Sequence, residues 1–196
     1  MSKAPDGRPF VHPKSRSGWR LWLSRNHARS SGVWLAAYRK DTGKPRVDYA
    51  DAVEEALAFG WIDSKSNRLD DERTLLWMSP RKPSSGWSKS NKERIERLER
   101  QGLMAEAGRA VVEAAKRSGS WTALDAIEAL EVPEDLAAAL HASPAARTNF
   151  DAFPPSSKKI ILTWIATAKR EETRRKRVEE TVRLAATNIR ANHPRS

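Results

Sequence analysis

Cysteine is absent from this chain, which excludes disulfides, thiolate nucleophiles and cysteine-ligated zinc or iron–sulfur centres. Long apolar runs are absent too. Nothing approaches the roughly 18 residues that would cross a bilayer, and the opening MSKAPDGRPFVHPKSRSG has no apolar stretch behind its charges. The expectation is a soluble protein of the cytoplasm with no membrane span. Histidines are few and scattered, at positions 12, 27, 141 and 193, so no pair has metal-ligand spacing and neither metal nor cofactor is expected. No set of residues has the types and spacing that fix a reaction. The reading therefore leans away from an enzyme and names no catalytic residue.

What is present is positive charge and tryptophan. The 196 residues suit one ordinary domain or two small ones and bury enough apolar surface to fold without staples. The net charge of +11 is uneven: residues 1–60 hold 11 basic and 6 acidic side chains, 61–102 hold 10 and 7, 103–143 hold 3 and 7, and 144–196 hold 12 and 5. Two basic ends flank an acidic middle, which favours anionic partners for the ends.

Periodicity predicts an α+β fold, mostly helical. Trp19, Trp22 and Leu23 fall at i, i+3 and i+4 of a helix over 17–28, GVWLAAYRK reads as a strand, and Ala52, Val53, Ala56 and Leu57 mark a helix capped by Asp48 and ended by Gly60. WIDSKS and TLLWMS flank the polar stretch 67–73 as an antiparallel hairpin that Pro80 and Pro83 terminate. Ser90 with Glu93 forms a capping box for a helix that closes at Gly102. Beyond it come a helix over 103–117 and short helices set off by Pro133, Pro144 and Pro154-Pro155. The domain reading is a mixed region over 1–102, with a small antiparallel sheet, and an all-helical region over 103–196.

The stretch 59–94 packs three tryptophans among eight basic residues and reads as a recognition surface. Arg81, Lys82, Ser84, Trp87, Ser88, Lys89 and Asn91 lie in a loop that runs into a helix N-terminus, where free N–H groups and the dipole favour an anion. Gly86 is the loop's one glycine, so this is no P-loop. The plainer reading keeps the prolines as a rigid crossover, Trp87 as a plug in the core and Ser90 as a cap. Trp61 and Asp63 share a strand face, with Arg68 or Arg81 within reach of the carboxylate, either as a ligand contact or as a buried structural ion pair. Trp77 joins Trp87 as a surface candidate, whereas Trp19, Trp22, Trp34, Trp121 and Trp164 read as core anchors. Near the C-terminus Arg170, Arg174 and Arg177 keep one helix face free of i,i+4 partners.

The blocks GVWL (32–35), YADAVEEALAFGWIDS (49–64), SPRKPSSGWSKSNKERIERL (79–98), VPEDLAAAL (132–140) and WIATAKREETRRKRV (164–178) resemble, in order, the bacterial YdeI/OmpD-associated or bacteriocin-protection family. That resemblance implies a role in envelope stress and tolerance of bacteriocins or cationic peptides, with no defined biochemical activity and no catalytic residues to carry over. It also implies a helix break near Lys169, although Glu171 stands where many relatives have proline; Ala58 stands where relatives often have cysteine. The leading expectation is a non-enzymatic stress-protection protein whose basic, Trp-rich surface binds an anionic small molecule or an acidic protein surface. The alternatives are a nucleic-acid-binding protein and an enzyme on a phosphate- or carboxylate-bearing substrate.

Overall fold

The computed structural model describes residues 4–193. Its chain divides into two units, Met1–Ala123 and Leu124–Ser196. The fold class is the expected one, α+β and mostly helical, with the sheet confined to the first unit.

In the first unit β1 (Phe10–Val11), α1 (Arg16–Asn26), β2 (Val33–Tyr38), α2 (Tyr49–Ala58), β3 (Trp61–Arg68), β4 (Arg73–Pro80), α3 (Lys89–Arg100) and α4 (Glu106–Ser118) follow in order. The sheet order is β1-β2-β4-β3, parallel between β1 and β2 and antiparallel elsewhere. Both sheet faces bury apolar side chains, which is why VWLAAY and LLWM run on without polar alternation. Val33, Leu35, Trp61 and Met78 pack with Trp19 and Leu23 of α1 and with Val53 and Leu57 of α2. On the other face Trp34, Ala36 and Leu75 cluster with Ala4, partly covered by Phe10 and Trp77.

Charge fastens the helices to one another. Glu55, 2% exposed, accepts from Arg16 Nε at 2.6 Å and Arg20 Nη1 at 2.7 Å, while Glu54 takes Arg16 at 3.1 Å and Arg97 of α3. Asp48 does not cap α2 with its side chain; its carboxylate pairs with Arg46 instead.

α4 belongs to the first unit, whereas the sequence reading draws its line at residue 102. The reason is a close helix crossing. Ala105 N donates to Ala58 O at 3.0 Å, and a Cβ on Gly108 would come within 2.2 Å of that same carbonyl. Only glycine lets the two backbones approach so closely. The buried stripe of α4 is accordingly Gly108, Val112 and Ala115.

The second unit contains α5 (Asp125–Glu128), α6 (Glu134–His141), α7 (Pro144–Ala152), α8 (Pro155–Ala166) and α9 (Glu171–Ala186) around Leu136, Leu140, Phe150, Ile161, Ile165 and Val178. Pro144 and Pro155 occupy first-turn positions, where a missing N–H is harmless. The chain breaks between α8 and α9, as the family resemblance implies. Among the described residues no helix is long and apolar enough to cross a membrane.

Candidate functional site

β4 ends at Pro80, and Arg81 stays tied to the sheet because its N–H donates to Gly60 O at 3.0 Å. The chain then turns through 82–86, where Ser85 N donates to Lys82 O at 3.0 Å, and drives Trp87 into the core. That anchor sets the helix start. Ser88 is the N-cap of α3, its hydroxyl accepting from Asn91 N at 3.4 Å; Ser90 lies inside the first turn, which corrects the expected Ser90–Glu93 box.

Arg81 is 7% exposed and Trp87 1%. The guanidinium carbon lies 3.8 Å from the Trp87 ring centre, and the Trp87 ring tilts in turn against Trp121 at 4.9 Å. One guanidinium nitrogen, Nη2, donates to Gly86 O. The other two, Nε and Nη1, are buried with no acceptor, and so is the indole nitrogen of Trp87. Burial pulls the Arg81 pKa down to about 10, against the opposing charge of Asp63. The first turn of α3 holds no carboxylate and carries Lys89 and Lys92 at the positive end of the helix dipole. Three unmet donors and a helix end without an acid therefore meet within one short segment.

The other expected site residues divide around this point. Ser88 and Asn91 adjoin it, and Asn91 Oδ1 accepts from Arg94 at 3.2 Å. Asp63 is half-buried and accepts from the Tyr49 hydroxyl at 2.8 Å rather than forming a pair with Arg68. Burial, then the Asp63 carboxylate, push the Tyr49 phenol above its ordinary value. Lys82, Ser84 and Lys89 are exposed on the covering loop and the first helical residue. Arg68 is engaged at the hairpin tip with Asp71 and Asp70 O. Trp77 lies on the opposite sheet face, edge-on to Trp34 at 5.3 Å.

Two binding candidates are corrected by burial. Trp61 is 1% exposed, donates to His27 O at 3.2 Å and meets Trp22 edge-on, so its face offers nothing to a ligand. Trp87 is sealed in the same core, as the plainer reading has it. Sequence reasoning missed Tyr49, whose role comes from a contact across the fold with Asp63 rather than from local spacing.

The C-terminal cluster is more committed than its spacing suggests. Arg174 donates to Asp135 at 2.7 and 2.8 Å, and Arg177 donates to Trp164 O while lying 5.2 Å over that indole. Lys176 pairs with Glu172, Arg175 with Glu179 and Arg183 with Glu180.

Comparison with known proteins divides the chain at much the same place as its packing. A family described as a domain of unknown function (DUF8412) matches residues 11–111, and the family described as Bacteriocin-protection, YdeI or OmpD-Associated matches residues 129–188. The resemblance read from residues 32–98 thus falls within the first match and that from 132–178 within the second. No curated protein and no solved structure matches the chain. The chain belongs to the DUF8412 family through its first unit and carries a YdeI/OmpD-associated domain in its second.

Proposed function

We propose that this chain is a non-enzymatic binding protein of bacterial stress or bacteriocin protection, acting in the cytoplasm, whose first unit holds a small anion against Arg81 and Trp87. One observation supports this above the rest: Arg81 Nε, Arg81 Nη1 and Trp87 Nε1 are buried donors without acceptors around a single positive charge. A buried donor left unmet costs about 1–3 kcal/mol, more when charged. A water molecule would satisfy the N–H groups but leave the charge uncompensated, whereas an anion does both. All three atoms are shielded from solvent, which restricts the ligand to a halide or a compact oxyanion. Entry runs through the 82–86 loop, whose outer residues Lys82, Pro83 and Ser84 are exposed.

Isothermal titration with phosphate, sulfate and chloride, each added to a low-ionic-strength buffer that lacks all three, tests the reading. At least one binds the wild type saturably, Arg81→Met abolishes it, and Trp87→Phe weakens it about five-fold, the worth of one hydrogen bond. Silence with all three ions, or undiminished binding by Arg81→Met, removes the proposal.

A further inference from the structure

A second opening lies at the far end of the same unit, where α2 begins and has not yet closed over the sheet. It is a cleft of about 230 Å³ floored by Leu35, Val47 and Leu76, with the small side chains of Ala37 and Ala52 leaving the space between sheet and helix. An apolar cavity of about 150 Å³ takes benzene, so this one holds a substituted ring.

The register of β3 keeps it open. Asp63 pairs with Met78 but Ser66 pairs with Leu76, so β3 carries one extra residue between them. Strict alternation from Trp61 and Asp63 would put Lys65 on the helix-facing side, and its long stem would fill the cleft. The bulge reverses this. Lys65 goes to the opposite face, its ammonium 5.3 Å from the Trp34 ring centre, and the short Ser66 takes the cleft wall.

The lining of the cleft carries one charged group, and it is a cation. Arg46 is the sole charged side chain lining the cleft, joined by the hydroxyls of Ser66 and Thr74. Arg46 is 28% exposed in its side chain and pairs with Asp48, itself 61% exposed, and reaches Tyr38 O only at 3.4 Å. An ion pair with so wet a carboxylate is weak, and a carboxylate brought into the half-buried mouth competes with it. The Tyr49 ring, held at the rim by its bond to Asp63, offers a flat wall beside the opening.

We propose that this cleft binds a small carboxylic acid with a compact apolar body, of benzoate size, the ring on Leu35, Val47 and Leu76 and the carboxylate on Arg46. The site is separate from the Arg81 anion site and stands without it. Calorimetric titration of the full chain with benzoate and with benzyl alcohol tests the proposal, since the alcohol keeps the ring and lacks the charge. Benzoate binds about ten-fold more tightly than the alcohol, Arg46→Met removes that difference, and Arg46→Lys keeps part of it. Ala37→Leu fills the cleft and abolishes both, with circular dichroism reporting that each variant is folded. Arg81→Met leaves benzoate binding unchanged. The inference is overturned if benzoate does not bind, if benzyl alcohol binds equally well, or if Ala37→Leu, folded, binds benzoate as the wild type does.

Discussion

Replacing Arg81 with methionine in a buffer free of small anions should leave stability within about 1 kcal/mol of the wild type. The magnitude follows from opposing terms. A pKa drawn down by burial to about 10 means that keeping the charge inside the fold costs about 3 kcal/mol, at 1.36 kcal/mol per pKa unit. Against it stand the contact with the Trp87 ring at 3.8 Å, about 2 kcal/mol for a desolvated cation–π pair, and one net hydrogen bond to Gly86 O of about 1 kcal/mol. Methionine keeps the apolar stem and loses all three. A buried arginine with a full set of partners behaves otherwise, and its loss costs about 3–5 kcal/mol. The anion that binds, at a hundred times its dissociation constant, adds about 2.7 kcal/mol to the wild type and nothing to the variant. For a unit spanning Met1–Ala123 that is a gap in melting temperature of about 10 °C. Tryptophan fluorescence follows it, because seven of the eight tryptophans lie in that unit. The reasoning is refuted if Arg81→Met loses 3 kcal/mol or more without anions, or if the bound anion raises both melting temperatures alike.

Three further perturbations probe the frame. Glu55→Gln removes a buried negative charge from two arginines; Arg16 retains Asp51 at 2.8 Å and Arg20 retains Leu103 O at 2.8 Å, so the loss should be about 2 kcal/mol rather than the 3–5 of an orphaned buried charge, read as a lower urea midpoint at unchanged slope. Gly108→Ala puts a methyl 2.2 Å from the Ala58 carbonyl and should cost at least about 2 kcal/mol, whereas Gly119→Ala, which meets no atom but keeps a positive φ of 77°, should cost about 1. In the second unit, hydrogen bonds from Arg174 hold the Asp135 carboxyl below its ordinary value of 3.8. Its contribution is present above that value and is lost as pH falls through the lower folded pKa, so Asp135→Asn should be less stable than wild type at pH 7 and equal to it in strong acid, as urea midpoints across that range would show.

The parts of this fold that the sequence discloses are those set by near neighbours. Trp19 and Leu23 mark the buried side of α1 by their spacing, Gly60 stops α2 with a positive φ, and prolines open α7 and α8. What escapes notice depends on distant partners. The apolar spacing of α2 identifies Ala52, Val53, Ala56 and Leu57 but says nothing of Glu54 and Glu55, which are buried because arginines 35 to 43 positions away reach them. β1 has two residues and no pattern to read; pairing with β2 alone makes it a strand. The expected binding surface disperses for a related reason: Trp61 and Trp87 are buried in the core and Trp77 lies on the other sheet face, placements set by packing partners far off in sequence.

Tryptophan content misleads here, and the hydrogen bonds explain how. Four indoles are fully buried: Trp19, Trp34, Trp61 and Trp87. Trp19 donates to Ala52 O, Trp34 to Asp6 and Trp61 to His27 O, so each is a core residue with its polar edge satisfied. Trp87 alone among them has no acceptor, and the side chain stacked on it is an arginine with two more unmet donors. Packing does not account for that pair, since leucine and methionine fill such a volume without burying a charge or an N–H. The proposed anion would account for it, because an acceptor reaching those donors would also neutralise the guanidinium. The informative feature of the 59–94 stretch is therefore the one place where an indole and a cation are both left wanting an acceptor.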